Sequence, residues 1–328
     1  MLISWNTTTK CNLFCRHCYR ESGPDADRSG ELTEKEGREL IASIKRAGFR
    51  LLIFSGGEPL MREDIFDLVA AARDEGLLPA MGSNGTLITP EVAQRLADCG
   101  LRGIAISVDS MDREYHDAFR GVKGAFDRAG EGIQNALAAG LRVQINLTLT
   151  DRNLDQFGPM VNFYEGLGVH AIHPFFLVPT GRALSMAEEE LKSGAYFSMI
   201  RAVLEKQAET GLELKPTCAP QFMPMAAEMG IPQRFTRGCL AGISYCCVLP
   251  GGDVHLCPYL PVKAGNVRET TFETIWAESE PFLKLRDPSA YGGACGKCDH
   301  WSICGGCRAR AFYYTGNYME EEPWCFLR

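Results

Sequence analysis

What this 328-residue chain lacks narrows it first. No apolar run approaches the roughly 20 residues needed to cross a bilayer, so no membrane-spanning helix is expected. There is no basic excess: 34 Lys and Arg against 41 Asp and Glu leave a formal charge of −7, which argues against general nucleic-acid affinity. Met1-Leu2-Ile3-Ser4-Trp5 has no basic n-region and runs directly into a strand pattern, so no signal peptide is expected and the cytoplasm is the expected compartment. No internal repeat or low-complexity linker is visible. At 45% hydrophobic and 23% charged residues, the composition is that of an ordinary globular protein, long enough for one large α/β domain and a smaller appendage.

Cysteine is where the chain departs from the ordinary. Of fourteen, three fall between positions 11 and 18, Cys99 and Cys218 stand alone, and the rest lie from Cys239 to Cys325. In a large chain with no export signal, these read as reduced thiols that bind metal. The octet Cys11-Asn12-Leu13-Phe14-Cys15-Arg16-His17-Cys18 can bring three thiols to one centre if the loop curls tightly. Thiolate-only ligation suits an iron–sulfur cluster, and three thiols leave one iron of a four-iron cluster open to a small molecule. A structural zinc site is the competing reading, and it needs a fourth ligand, for which His17 is the local candidate.

From residue 2 to about 210, short apolar runs alternate with amphipathic segments. Strands are expected at Leu2 to Asn6, Leu51 to Phe54, Pro79 to Gly82, Gly103 to Val108, Arg142 to Leu149 and Ala171 to Val178. Helices are expected between them, one opened by a Thr33-to-Glu36 capping box and another by Thr89-Pro90. Strands this apolar are expected to be covered on both faces. Six βα units in succession fit an open sheet or a partial barrel. The distinctive polar residues fall at strand C-terminal ends, which favours a partial (β/α)6 TIM-like barrel in an α/β chain. Beyond Gly211, Gly, Pro and Cys dominate and metal ligands are expected in place of a hydrophobic core. The expected division is a barrel at 1–210, a connecting segment at 211–235 and a small cysteine-rich domain at 236–328.

Gly56-Gly57-Glu58-Pro59 follows strand 2. Its glycines would let the backbone approach a ligand, and Glu58 could meet an ammonium group. Ser83-Asn84-Gly85 and Ser107-Val108-Asp109 place small polar groups, suited to ribose hydroxyls, at the neighbouring strand ends. Cys-x3-Cys-x2-Cys after strand 1 with Gly-Gly-Glu-Pro after strand 2 resembles the signature of radical S-adenosylmethionine enzymes. The resemblance implies that Cys11, Cys15 and Cys18 hold a [4Fe–4S] cluster whose open iron is chelated by S-adenosylmethionine. It also implies that Gly56, Gly57, Glu58 and Pro59 meet the methionyl amine, and that His17 packs near adenine. One-electron reduction would then yield a 5′-deoxyadenosyl radical.

The C-terminal cysteines resemble the SPASM extension, which carries one or two auxiliary [4Fe–4S] clusters. The resemblance implies Cys239, Cys246, Cys257 and Cys307 around one, and Cys295, Cys298, Cys304 and Cys325 around the other. The adjacent Cys246-Cys247 pair leaves the second ligand ambiguous.

Segments such as Phe176-Leu177-Val178-Pro179-Thr180-Gly181-Arg182 and Gly238-Cys239-Leu240-Ala241-Gly242-Ile243-Ser244 resemble the radical enzymes of siroheme-dependent heme and heme d1 pathways. This implies an iron-porphyrin substrate, with oxidative decarboxylation of two propionates of iron-coproporphyrin III as the leading reaction and reduced ferredoxin or flavodoxin as donor. Acetate removal from didecarboxysiroheme, peptide modification, and a non-catalytic electron carrier are the alternatives. His173 is a candidate ligand of the porphyrin iron. Arg182, Arg237, Arg308 and Arg310 are candidates for gripping its carboxylates, and Cys218 could reach the mouth of the site.

Overall fold

The computed structural model describes residues 1–327. Seven parallel strands come first: β1 (Leu2–Asn6), β2 (Leu51–Ser55), β3 (Leu78–Ser83), β4 (Gly103–Ser107), β5 (Arg142–Leu149), β6 (Ala171–Phe176) and the short β7 (Glu213–Leu214). Between them run α1 (Glu34–Arg46), α2 (Ile65–Asp74), α3 (Pro90–Asp98), α4 (Arg113–Arg120), α5 (Ala125–Ala138), α6 (Phe157–Leu167) and α7 (Ser193–Glu209). The expected strands and most of the expected helices are present, and the parallel order makes the partial barrel. The Thr33 capping box forms, with Glu36 N donating to Thr33 Oγ1 and Thr33 N donating to Glu36 Oε2. Helix α4 was not expected, although Asp112 caps its start and Gly121 ends it in the left-handed conformation.

Both faces are apolar only in part: β2 carries Leu51 and Ile53 opposite Leu52 and Phe54, but β5 alternates strictly. Ile3, Trp5, Leu52, Phe54, Ile104, Ile106, Val143, Ile145, Leu147 and Ile172 point to the helix layer and are fully or almost fully buried. Their alternates, among them Ser4, Ser55, Ser107, Gln144, Asn146, Thr148 and His173, line the inner face and are polar. A period of two therefore sets an apolar shell around a polar lumen. Register places Ser107 beside Asn146 and Asn146 beside His173, a continuous polar row across three strands.

The C-terminal region joins this sheet. After α8 (Phe222–Glu228), β8 (Tyr245–Val248) pairs in parallel with β1, and β9 (Asp253–Cys257) and β10 (Leu260–Asn266) extend the edge as an antiparallel hairpin. The ten strands run in the order β10-β9-β8-β1-β2-β3-β4-β5-β6-β7. Helices α9 (Phe272–Glu278), α10 (Glu280–Arg286) and α11 (Arg308–Thr315) follow. Phe272 and Trp276 pack their rings on Phe49, with centroids 5.3 and 4.9 Å away, and they belong to the main core along with Phe282 and Leu285. The expectation that metal replaces a core here is corrected: up to α10 this region shares the barrel's core, because its strands continue the barrel's sheet. Among the described residues, no helix is long and apolar enough to cross a membrane.

Candidate active site

The cysteine loop begins where β1 ends and is held on three sides. Cys11 N donates to Gly23 O, while Phe14 N and Arg16 N donate to the Arg120 and Phe119 carbonyls at the end of α4. On the third side, the Arg182 guanidinium donates to Cys15 O and Ser22 O, both at 2.8 Å, and lies 4.0 Å over the Phe14 ring. Arg182 is therefore a clamp on the loop. Its assignment as a substrate contact is corrected, because its hydrogen bonds are spent on backbone.

The Gly-Gly-Glu-Pro turn acts on the same loop from below. Gly57 N donates to Thr8 O and Glu58 N to Lys10 O. A Cβ at Gly57 would sit 2.2 Å from Lys10 O, and one at Gly56, whose φ is +140°, would sit 2.6 Å from Thr8 O. The close approach these glycines permit is thus to the chain leading into the cysteines. Gly57→Ala should displace that chain and lower iron bound per protein after anaerobic reconstitution. Full iron loading in the variant would show that the loop tolerates the shift.

Glu58 is fully buried and accepts hydrogen bonds from Ser83 Oγ at 2.9 Å and Asn84 N at 2.8 Å, so it ties β2 to the end of β3. Burial pushes its carboxyl up to about 7, against the pull of those donors. Pro59 opens the short helical turn that follows. Asn84 bridges to the cysteine loop, donating to Asn12 Oδ1 at 2.8 Å and lying 3.8 Å from Cys11 Sγ. Ser107 faces the lumen from β4.

Asp109 does not face a ribose. It is fully buried, accepts from Arg120 Nε at 2.7 Å and from Thr148 N at 3.0 Å, and so closes β4 onto β5. Its carboxyl is held below the usual range despite burial, chiefly by the Arg120 guanidinium. Arg120 in turn lies 3.8 Å from Cys15 Sγ. Sequence reasoning missed Arg120 because it missed α4; the Asp112 cap and the Gly121 stop were the available signals.

His17 stacks on Phe119, with ring centroids 4.2 Å apart, and burial lowers its imidazole to about 3, so it is neutral. Its ring is folded onto α4. Burial pushes the Cys11 thiol up to about 12, with the negative charge of Glu58, Cys15 and Cys18 adding to the effect. Thiolates packed this way fit a metal centre whose positive charge offsets their repulsion. The buried Asn6 Nδ2 and His17 Nδ1 near the loop have no protein partner, as expected of atoms that meet a bound group.

Cys295, Cys298, Cys304 and Cys325 together line one cavity of about 330 Å³. Arg308 is buried against this set, with Nη2 3.4 Å from Cys295 Sγ and Nη1 donating to Tyr318 O and Glu320 O. Arg237 is over the Trp301 ring at 4.4 Å and donates to Cys239 O and Ser302 O. Arg310 is buried between Glu190 and Glu322. All three arginines are corrected from substrate contacts to internal braces. His173 does face the lumen, where its Nε2 is 3.1 Å from Glu213 Oε1.

One metal assignment fails on register. β8 pairs Cys246 with Ile3 and Cys247 with Ser4, so Cys246 points to the helix layer and is fully buried in the apolar core. Cys247 stands opposite His255, which places Tyr245 opposite Cys257. Cys246 therefore faces away from Cys257, and no centre can hold both side chains. Among the described residues, no three His, Cys, Asp or Glu side chains converge on a point close enough for one bare ion.

A parallel partial barrel with a three-thiol loop at its rim and thiol sets beyond its edge defines a radical S-adenosylmethionine protein with auxiliary iron–sulfur centres. The Radical SAM superfamily model matches residues 5–164 and that of SPASM, an iron–sulfur cluster-binding domain, matches 239–308; the chain belongs to the radical SAM superfamily. It is 41% identical to an AdoMet-dependent heme synthase of Nitratidesulfovibrio vulgaris, over 99% of this chain and 91% of that one. It is 33% identical to an Fe-coproporphyrin III synthase of Methanosarcina barkeri, over 99% of this chain and 88% of that one. The crystal structure of Streptococcus suis SuiB bound to S-adenosylmethionine shares its fold, with a TM-score of 0.76 at 18% identity over 99% of this chain and 77% of that one. The chain is thus a radical SAM enzyme, and its cofactors are S-adenosylmethionine and four-iron clusters.

Proposed function

We propose that this enzyme oxidatively decarboxylates two propionates of iron-coproporphyrin III to vinyl groups, giving heme b. The observation that carries the reading is the full-length 41% identity to an AdoMet-dependent heme synthase, against 33% to an Fe-coproporphyrin III synthase. When bound and reduced, the cluster supplies cleavage of S-adenosylmethionine to methionine and a 5′-deoxyadenosyl radical. For each side chain, one hydrogen atom would pass from the propionate β-carbon to the 5′-deoxyadenosyl radical, giving 5′-deoxyadenosine, and the resulting radical would lose carbon dioxide and pass one electron to an oxidised auxiliary iron–sulfur cluster as the vinyl group forms.

The chain's own contribution is the lumen. Gln144, whose Nε2 donates to Asn146 Oδ1 at 2.7 Å, shares a polar wall with Asn146, Ser107 and His173, which suits a substrate bearing carboxylates and a metal. Lys215, just past β7, is a cation near this wall; burial lowers its ammonium, against the opposing charge of Glu213. His173 remains the proposed ligand or hydrogen-bond partner of the porphyrin. Reduced ferredoxin or flavodoxin in the cytoplasm is the proposed donor.

Reconstituted enzyme with reductant and S-adenosylmethionine should be offered iron-coproporphyrin III and didecarboxysiroheme in parallel. Loss of two carbon dioxide from the first, read by mass spectrometry, is the expected result. Turnover of only the second would move the activity one step upstream and overturn the proposal.

A further inference from the structure

With Cys246 turned into the core, the auxiliary centre of Cys239, Cys257 and Cys307 lacks its fourth thiol. We propose that Cys218, a residue from the segment that follows β7, is that ligand. The inference rests on reading the C-terminal region as cluster-binding.

Cys218 and Cys307 are near neighbours. Cys257 has Cys239, Cys247 and Cys307 among its neighbours, and Cys218 has Cys257, so these sulfurs share one neighbourhood. Cys239 enters it because residue 238 packs on Pro220: a Cβ at Gly238 would sit 2.4 Å from Pro220 O. Cys239 N also donates to Cys304 O at 3.0 Å, which sets it beside the segment leading to Cys307. Cys307 sits at the start of α11, whose Arg310 donates from Nη1 to Cys218 O at 3.0 Å. The loop and the helix are thus bound together at these two residues.

The backbone of Cys218 is unusual. It has φ of +61°, one of two non-glycine residues in the described chain with positive φ. A residue with a Cβ adopts that conformation where its surroundings impose it, and such strain gathers at functional sites. Here Arg310 holds the carbonyl, and Thr217 on its N-terminal side bridges to Phe175 of β6 and receives Phe176 N on its carbonyl. The turn holds Cys218 beside the start of α11.

Cys247 is the rival. It faces the lumen side with Ser4 and lies among the neighbours of Cys257. Its cross-strand partner, however, is His255, one pair removed from Cys257, and it sits on the sheet rather than on the loop that Arg310 and Gly238 tie to the Cys307 and Cys239 segments. A Cys218 ligand would fix the auxiliary centre to the last barrel strands, next to Lys215 and the lumen. A Cys246 ligand would have fixed it only to the sheet's added edge.

The test uses the full chain carrying Cys11→Ala, Cys15→Ala and Cys18→Ala, so that only auxiliary clusters contribute. Into it go Cys218→Ala, Cys246→Ala or Cys247→Ala, each reconstituted anaerobically, with iron, sulfide, Mössbauer and reduced-state EPR as readouts. Cys218→Ala should lose about four irons per chain or show a three-iron signal, while the other two keep the parent's iron and spectrum. Cys218→Ser, which keeps the size and a weaker oxygen ligand, should retain the cluster with shifted EPR g-values, which guards against a simple folding failure. Unchanged iron and EPR in both Cys218 variants, or loss of that cluster in Cys247→Ala instead, would overturn the assignment. None of these readouts involves porphyrin, so the ligand and the proposed reaction stand or fall separately.

Discussion

Arg310→Met should destabilise the folded chain by about 3–5 kcal/mol, the usual cost of removing one partner from a buried ion network. Arg310 is fully buried, with Nε bonded to Glu190 at 2.6 Å and Nη1 3.4 Å from Glu322. Both carboxylates have further work to do. Glu190 accepts from Tyr314 Oη at 2.6 Å and Trp324 Nε1 at 3.1 Å, and Glu322 accepts from Cys307 N at 2.6 Å. Arg310 lies between these two buried carboxylates, so removing it takes away a charge that both face. Burial works against the arginine's charge, yet Glu322 foremost among its neighbours holds it protonated. The loss is comparable to the whole margin of about 5–15 kcal/mol that keeps a typical domain folded. Thermal unfolding under anaerobic conditions should show a large fall in midpoint, and Glu190→Gln added to Arg310→Met should restore part of it by removing one stranded charge. A midpoint within a degree or two of the parent would show that water or relaxation satisfies these carboxylates.

The network also marks the boundary of what the sequence made legible. Strands, helices and the rim motifs could be read because their signals are local: a run of apolar residues, a Thr33 cap, thiols three and four positions apart. Arg182, Arg237, Arg308 and Arg310 were misread because nothing local tells an arginine that serves a ligand from one that serves backbone carbonyls. Arg182 reaches Cys15 across more than 160 positions of chain, and Arg310 reaches Glu190 across 120. Cys246 failed for a different reason. In a strand one step reverses the face, so choosing between adjacent cysteines needs the register, and Ile3↔Cys246 is a pairing between the first strand and the eighth. The polar lumen was legible in principle, since Gln144, Asn146 and Thr148 alternate with Val143, Ile145 and Leu147; the apolar members of the pattern drew the reading toward two covered faces.

Cys15→Ala should abolish reductive cleavage of S-adenosylmethionine while leaving the auxiliary centres in place. We propose the three loop thiols as the complete protein ligand set of the radical-generating cluster, and two cannot hold four irons where three leave one iron already open. Cys15 is the thiol the fold serves most directly. Arg120 lies 3.8 Å from its sulfur, Asp109 holds Arg120, and Arg182 grips its carbonyl. Burial raises the thiol, and the Arg120 charge is the main influence opposing that rise. An alanine there leaves Arg120 balanced by Asp109 alone, so the loop keeps its brace and the defect stays with the cluster. The thiols of the other two sets lie on β9, at the start of α11 and around the cavity lined by Cys295 and Cys325, and none belongs to the 11–18 loop. Iron should therefore fall by about four atoms per chain, with the auxiliary EPR signals retained and no 5′-deoxyadenosine detected by chromatography. Deoxyadenosine formation at the parent rate would mean that the radical-generating cluster is held elsewhere in the chain.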